Sequence, residues 1–209
     1  MIKAQQLRGI YVIVGDGSHN VIRVAQAALN AGVTIVQYRR KAGVIDSELQ
    51  AIRTMTREYS ALLILNDDWR LAQTSGCDGV HLGPGDHGYD HPRDLRREWA
   101  HGIIGLSCGT IAEAQSVDSA VVNYLGVGPV FATNSKGDAG EPIGLEGLRA
   151  VAAITPLPVC AIGGISDSNL SAVRMSGVAM AAVISGLAQA ENLDTAARSL
   201  VRQWEMKAP

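Results

Sequence analysis

Eight short apolar runs recur along this chain, and their spacing constrains the fold more than any other feature. Each run is continuous and rich in Val, Ile or Leu, the pattern of β-strands that are buried on both faces. The runs are GIYVIV (9–14), VTIVQY (33–38), ALLILN (61–66), GVHLG (79–83), GIIGLS (102–107), VNYLGVG (122–128), PVCAIGG (158–164) and VAMAAVIS (178–185).

Amphipathic segments between these runs predict helices. One ends in Gly32, a helix-stop signal, and a second begins with Asp46, a residue suited to an N-cap. Thr110 with Glu113 three residues later predicts a capping box. The predicted helical segments are 21–32, 46–60, 110–120, 166–177 and 192–205.

Eight strand–helix units in 209 residues predict an α/β protein with one domain, residues 1–209, folded as a (β/α)8 barrel with short helices. A doubly wound open sheet is the alternative. That fold would need fewer strands and a topological switch point, and GDGSHN (15–20) is a poor match to its dinucleotide-binding fingerprint.

Composition excludes several classes of partner. The formal net charge is −2 without a basic run, so a nucleic-acid partner is not expected. No apolar stretch has the length of a membrane span, and the N-terminus lacks the pattern of a signal peptide. Cys77, Cys108 and Cys160 lie far apart, which predicts free thiols in a reducing cytoplasm.

In a barrel of this class, functional groups lie where the strands end and the following loops begin. The second run continues as VQYRRKAG, in which Gln37, Arg39 and Lys41 alternate and would point the same way in an extended segment. Packing explains poorly an amide and two cations aimed in one direction, so we expect them to bind a polyanion.

The third and fourth runs end in acids. Asn66, Asp67 and Asp68 follow one, and Asp86 follows the other. Mg²⁺ is usually held by one or two carboxylates together with substrate phosphates, so a magnesium–diphosphate site fits better than zinc. Helix capping is the alternative role for such acids. His81 is expected to be a core or strand-face imidazole, and His87 and His91 are expected to lie on the surface.

Two further regions carry polar groups. Ser107 ends the fifth run and could bond a phosphate. The segment 128–144 is the longest without apolar periodicity and carries Thr133, Ser135 and Lys136. It predicts a mobile lid that brings a cation to the diphosphate, with a disordered surface loop as the alternative.

Small-residue turns follow the seventh and eighth runs, as AIGGIS and VISG. Backbone N–H groups at helix N-termini bind phosphate, and these barrels commonly place a phosphate site at these two loops. Gly163 and Gly164 would permit a close approach that a Cβ blocks. The sequence thus predicts two anion subsites, one for a monophosphate and one for a diphosphate with Mg²⁺.

With these motifs in order, the chain resembles the thiamine-phosphate synthase family over essentially its whole length. The motifs are VQYRRK, LNDD, GVHLGPGD, GLS, GPVFATNSK, AIGGI and VIS. The resemblance implies a transferase of thiamine biosynthesis. It would join 4-amino-2-methyl-5-hydroxymethylpyrimidine diphosphate to 4-methyl-5-(2-phosphoethyl)thiazole and release pyrophosphate by a dissociative, Mg²⁺-assisted substitution.

The resemblance also implies a role for each matching position. Asp67 and Asp86 would bind Mg²⁺, Gln37 would bind the aminopyrimidine, and Asp68 would cap a helix. The diphosphate would be held by Arg39, Lys41, Asn66 and Lys136, with Ser107 beside it. Thr133 and Ser135 would line the loop over the substrates. The thiazole phosphate would be bound by Gly164, Ile184 and Ser185.

Some positions depart from the family pattern. Arg40 replaces an acid and adds positive charge, Pro84 and Gly85 alter the loop before Asp86, and Gly109 replaces a common His. The first strand ends in VIVGD instead of VITD, which affects Asp16.

The sequence is also compatible with three other functions. They are a thiazole tautomerase of the same superfamily, a sugar-phosphate decarboxylase or isomerase, and a barrel that only binds a phosphorylated ligand. A homodimer is also expected.

Overall fold

Strands and helices alternate along nearly the whole chain. The structure, a computed structural model, describes residues 6–16, 20–133 and 140–206. The strands are β1 (Gly9–Gly15), β2 (Ile35–Arg39), β3 (Leu62–Asn66), β4 (Gly79–Leu82), β5 (Ile103–Cys108), β6 (Tyr124–Val127), β7 (Val159–Ala161) and β8 (Met180–Val183). The helices are α1 (Val21–Asn30), α2 (Asp46–Glu58), α3 (Trp69–Thr74), α4 (Pro92–Glu98), α5 (Ile111–Ser116), α6 (Gly144–Ile154), α7 (Leu170–Arg174), α8 (Ser185–Ala188) and α9 (Leu193–Glu205).

The eight strands close into a parallel barrel in the order in which they occur in the sequence. Each strand pairs with the next, and β8 returns to β1 through partners such as Met180 and Gly9. All eight predicted strands are therefore confirmed, and so is the (β/α)8 fold. The open-sheet alternative is wrong, because a closed sheet has neither edges nor a switch point.

Strand alternation divides the buried side chains between two layers. Ile10, Val12 and Val14 of β1 pack outward against the helices. Tyr11 and Ile13 point inward and join a smaller cluster that fills the barrel. Because side chains alternate with period two, each strand sends every second residue into the barrel. At the carboxyl end, these inward positions become the floor of the barrel mouth.

The helix boundaries confirm some capping predictions and correct others. Thr110 and Glu113 form a capping box at the start of α5, as expected. Asp46 is not an N-cap, because Ile45 holds that position and Asp46 is the first residue of α2. The helix predicted over 166–177 is limited to α7, since residues 166–169 form a turn in which Asn169 Oδ1 accepts from Ser166 N–H.

Cys77, Cys108 and Cys160 are free thiols, as predicted, and all three are buried. Within the ranges that the structure describes, no helix is both long enough and apolar enough to cross a membrane.

Candidate functional site at the barrel mouth

Strand β2 aims Gln37 and Arg39 into the barrel mouth. Ile35 belongs to the interior cluster, and Gln37 and Arg39 follow it in phase. Gln37 is 2% exposed, and its Nε2 donates to Tyr11 Oη at 3.0 Å. Lys41 is not in phase with them, because β2 ends at Arg39 and Lys41 is exposed in the next turn. The alternation predicted for three residues holds for two.

Asp16 links the ends of β1 and β2. Its Oδ2 accepts the backbone N–H of Lys41 at 2.6 Å and lies 3.7 Å from Arg39 Nη1. Gly15 pairs with Arg39 in the strand register, so Asp16 reaches the turn directly. The contact of Asp16 with the end of β2 was not predicted from the sequence. It holds both the turn that carries Lys41 and the guanidinium of Arg39.

Arg40 turns away from the mouth and pairs with Glu48 of α2. Its Nε and Nη2 donate to the two carboxylate oxygens at 2.8 and 2.6 Å, and Tyr38 Oη also donates to Glu48. This pairing raises the pKa of Arg40 and lowers the pKa of Glu48. Arg40 therefore does not add uncompensated charge to the site, in contrast to the sequence-based expectation.

The three polar residues after β3 have different surroundings. Asn66 is the last residue of β3 and pairs in register with His81. Asp67 has a backbone φ of +69°, and its N–H donates to His81 O at 2.9 Å. Asp68 is the N-cap of α3, and its Oδ1 accepts from Leu71 N–H at 2.9 Å. The capping role predicted for Asp68 is thus confirmed, and Asp67 lies between this cap and the end of β3.

The loop after β4 folds Asp86 back over the end of its own strand. Asp86 Oδ2 accepts from Gly83 N–H at 2.6 Å, and Asp86 N–H donates to Gly83 O. A Cβ on Gly83 would lie 3.5 Å from Asp86 Oδ2 and 3.6 Å from Ser107 Oγ. Asp86 and Ser107 therefore flank the same point. The Pro84–Gly85 departure leaves Asp86 beside β4.

Asp67 and Asp86 are two carboxylates that could hold Mg²⁺ at the barrel mouth. They come from the ends of adjacent strands, and Asp67 is bonded to the carbonyl of His81, two residues before Gly83. In the described part of the chain, no three His, Cys, Asp or Glu side chains form a metal-type cluster. Two carboxylates suit Mg²⁺, which takes its other ligands from water and phosphate, whereas structural zinc needs four ligands.

A line of polar side chains crosses the barrel below the mouth. Tyr11 Oη lies 2.9 Å from Tyr124 Oη, and Tyr124 Oη lies 3.0 Å from His81 Nδ1. His81 Nε2 lies 3.1 Å from Ser107 Oγ. His81 is a strand-face imidazole, as expected, but its contact with Ser107 was missed. The inward phase of Tyr11 and Tyr124 is the signal that could have found this line.

The loops after β7 and β8 enclose a small cavity opposite the acids. Gly163 and Gly164 have φ values of +99° and +65°. A Cβ on Gly164 would lie 2.7 Å from both Ala132 O and Phe131 Cβ. The cavity is lined by Thr133, Gly163, Gly164, Ile165, Ala182, Ile184 and Ser185. The structure thus brings together Thr133 and the three residues predicted to bind the thiazole phosphate.

The remaining positions singled out from the sequence lie outside the described residues, just before α5 or on the surface. Ser135 and Lys136, and with them the centre of the predicted lid, lie outside the described residues. Gly109 donates its N–H to Glu113 Oε2 at 2.6 Å and extends the α5 cap. His87 and His91 are exposed, as expected, and His87 Nδ1 accepts from Trp69 Nε1.

Comparison with known proteins assigns the chain to one family. Residues 10–187 match the family described as thiamine monophosphate synthase. Thiamine-phosphate synthase of Archaeoglobus fulgidus is 42% identical over 181 residues, which cover 85% of this chain and 84% of that protein. The relative of the same name in Herpetosiphon aurantiacus is 40% identical over 192 residues, or 90% of this chain and 91% of that protein. Thiamine phosphate pyrophosphorylase from Pyrococcus furiosus has a structure with a TM-score of 0.85 at 33% identity, and the match covers 96% of this chain and 97% of that one.

Proposed function

From the premise that this chain belongs to the thiamine monophosphate synthase family, a family of transferases, we propose the substrates and residue roles of its reaction. The substrates are 4-amino-2-methyl-5-hydroxymethylpyrimidine diphosphate and 4-methyl-5-(2-phosphoethyl)thiazole. The products are thiamine phosphate and pyrophosphate. The observation that carries this proposal is the division of the mouth into a charged half with two acids and an opposite half built from glycine loops.

In the charged half, Arg39, Lys41 and Asn66 hold the diphosphate, and Ser107 lies beside it. The family resemblance adds Lys136, which lies outside the described residues, to the groups that bind the diphosphate. Asp67 and Asp86 would hold Mg²⁺, which when bound neutralises charge on the leaving diphosphate. Gln37 orients the aminopyrimidine by hydrogen bonding. The buried Tyr11 contact supports this role, because it restrains the Gln37 amide before substrate arrives.

In the opposite half, Gly164, Ile184 and Ser185 bind the phosphate of the thiazole, and Thr133 lines the approach to it. The family resemblance implies the same role for Ser135, which lies outside the described residues. The cavity that these described residues share supports the assignment. The thiazole nitrogen is then held toward the pyrimidine.

The substitution is dissociative. The C–O bond between the pyrimidine methylene and the diphosphate breaks first, and the aminopyrimidine ring stabilises the methylene cation. The thiazole nitrogen then donates its electron pair to that carbon. No protein nucleophile is required, so the residues serve to stabilise charge on the leaving group and to exclude water from the cation.

Incubation of the protein with both substrates and Mg²⁺, followed by oxidation of thiamine phosphate to fluorescent thiochrome, tests this proposal. We expect product that requires both substrates and disappears with EDTA. Absence of product would overturn the synthase reaction, and product that is insensitive to EDTA would overturn the metal assignment. The relatives compared above are named as synthases, so they give no support to a thiazole tautomerase.

Other aspects stay predictions. They are one catalytic domain over 1–209, a cytoplasmic location, a homodimer, and small-molecule substrates without nucleic-acid or membrane partners. Sedimentation of the purified protein measures the oligomeric state.

A further inference from the structure

Five polar side chains form one continuous hydrogen-bonded line across the barrel interior. The line runs from Gln37 through Tyr11, Tyr124 and His81 to Ser107, with successive distances of 3.0, 2.9, 3.0 and 3.1 Å. It joins the strand end assigned to the pyrimidine with the strand end assigned to the diphosphate. The groups come from five different strands, so only the closed barrel assembles them.

The direction of donation along this line is fixed at its buried end. The amide nitrogen of Gln37 can only donate, so Tyr11 Oη accepts from it. Tyr11 has one hydrogen, and Tyr124 Oη is the hydroxyl beside it. Tyr11 is 2% exposed, and a buried donor that is left unpaired destabilises the fold. Tyr11 therefore donates to Tyr124.

The same reasoning determines which ring nitrogen of His81 carries the hydrogen. Tyr124 accepts from Tyr11, so its own hydrogen is directed to His81 Nδ1. An imidazole that accepts at Nδ1 is neutral and carries its hydrogen on Nε2. The Nε2–H then donates to Ser107 Oγ. If Tyr124 donated to Tyr11 instead, Tyr11 would accept from both Tyr124 and Gln37, and its own hydrogen would be unpaired.

We propose that Tyr11 and Tyr124 hold His81 as the Nε2–H tautomer, and that His81 thereby makes Ser107 a hydrogen-bond donor to the leaving diphosphate. This inference rests on the proposed function, since it uses the placement of the diphosphate beside Ser107. Tyr124 and His81 are positioning residues, because they act on the substrate through Ser107.

Packing keeps the line in place. The rings of His81 and Tyr124 stack with centroids 5.5 Å apart. A Cβ on Gly126 would lie 2.7 Å from His81 Cε1, and one on Gly105 would overlap the ring of Tyr124. These glycines leave space for the two rings on the floor of the mouth. Burial raises the pKa of Tyr11 and of Tyr124, so both hydroxyls keep their protons.

The direct test is ¹⁵N NMR of the protein labelled at its five histidines. The signal of His81 is assigned by its loss in His81→Gln. We expect a protonated Nε2 and an unprotonated Nδ1 in the wild type, and a mixture of tautomers in Tyr124→Phe. A protonated Nδ1 in the wild type would overturn the inference. This readout needs no turnover, so it is independent of whether thiamine phosphate is formed.

Two matched hydroxyl deletions test the effect on catalysis. Tyr124→Phe removes the donor to Nδ1 and should lower kcat on the order of tenfold, as expected for one lost hydrogen bond to a partly buried group. Tyr11→Phe keeps the Tyr124–His81 contact but removes the donor that fixes the direction of the Tyr124 hydroxyl, so kcat should fall by less than in Tyr124→Phe. The same change releases Gln37 and should raise the KM for the pyrimidine diphosphate. A greater loss of kcat in Tyr11→Phe than in Tyr124→Phe, or unchanged kcat in Tyr124→Phe, would contradict the inference.

Amide replacements of the imidazole provide a second test that does not depend on the tyrosines. His81→Gln places an amide N–H near the position of Nε2, whereas His81→Asn places its amide near Nδ1. We expect kcat to be severalfold higher in His81→Gln than in His81→Asn, because only the former can still donate to Ser107. The reverse order would overturn the inference.

Discussion

The two halves of the barrel mouth present their polar groups in different ways. In the side-chain half, formed by the ends of β1 to β5, the groups are the side chains of Arg39, Asn66, Asp67, Asp86 and Ser107. In the backbone half, formed by the loops after β7 and β8, the cavity is lined by Gly163, Gly164 and Ser185, and no charged side chain is among the lining residues that the structure describes. Both halves are proposed to bind phosphate groups.

This difference determines which substitutions each half tolerates. In the side-chain half, loop residues can change while the functional group stays at the end of a side chain. Pro84 and Gly85 are such changes in the loop before Asp86. In the backbone half, the approach to the main chain is the functional feature, so an added Cβ is harmful. The first half should lose function when a group is removed, and the second when an atom is added.

The largest effect is expected from Asp67→Asn. This change removes a carboxylate proposed to bind Mg²⁺, and should lower kcat/KM roughly 10²–10³-fold, as loss of a group that stabilises transition-state charge does. Asn also tolerates the positive φ of Asp67, so the backbone is not the cause. The rate of thiamine phosphate formation is measured against Mg²⁺ concentration.

Asp68→Asn is the matched control, because it removes the same charge one residue away. Asn is as good an N-cap as Asp, so α3 should keep its first turn. We expect a rate within about twofold of wild type, as for most surface substitutions. Equal losses in the two variants would mean that general negative charge, and not a ligand at Asp67, is what matters.

Gly164→Ala tests the backbone half. The new Cβ would lie 2.7 Å from Ala132 O, at a φ that already disfavours side chains. Strain of about 1–3 kcal/mol at the loop should raise the KM for the thiazole phosphate by about tenfold or more. The KM for the pyrimidine diphosphate should change little, which is the measurement that separates the two halves.

Gly177→Ala controls for the backbone conformation alone. Gly177 also has a positive φ, of +81°, but its added Cβ would meet nothing within 4 Å. This variant should lose thermal stability and keep the wild-type KM for the thiazole phosphate. If both variants raise that KM equally, the close approach at Gly164 is not responsible.

Much of this architecture could be predicted from the sequence, because it depends on local patterns. Apolar runs locate all eight strands, and the acids and glycines that follow them mark the two halves. What could not be predicted depends on pairing across the sheet. Tyr11 and Tyr124 are 113 residues apart and meet only across the closed barrel.

Two errors have a similar origin at the end of β2. Alternation was extended to Lys41, but the strand stops at Arg39 and the chain turns. Arg40 was expected to add charge to the site, but the turn lets it reach Glu48 on α2. Neither the strand end nor the helix contact is encoded in the local pattern of charges.

Asp16→Ala tests whether Asp16 positions Arg39 and Lys41 in the side-chain half. It removes the acceptor for Lys41 N–H and the partner of Arg39. A loss of about 1 kcal/mol in positioning should raise the KM for the pyrimidine diphosphate roughly fivefold. Asp16→Asn keeps an acceptor oxygen and should recover most of the affinity. If Asn is as harmful as Ala, the charge of Asp16 is the important property.

The smallest effect on activity is expected from Arg40→Ala, although Arg40 adjoins Arg39. Its guanidinium faces Glu48, so the rate should stay within about twofold of wild type, while the free energy of unfolding falls by about 1 kcal/mol at neutral pH.

Arg40 lowers the pKa of Glu48, so this stabilisation is present above the ordinary Glu pKa and is lost as the pH falls through the lowered value. Urea unfolding of both proteins at pH 7 and near pH 3 should show the difference shrinking in acid. Arg23→Ala is the control, because it breaks an exposed ion pair in which Arg23 Nη2 lies 3.8 Å from Asp194 Oδ2. This variant should lose less free energy of unfolding at pH 7 than Arg40→Ala. A large loss of rate in Arg40→Ala would place that cation within the side-chain half and remove the distinction between the two adjacent arginines.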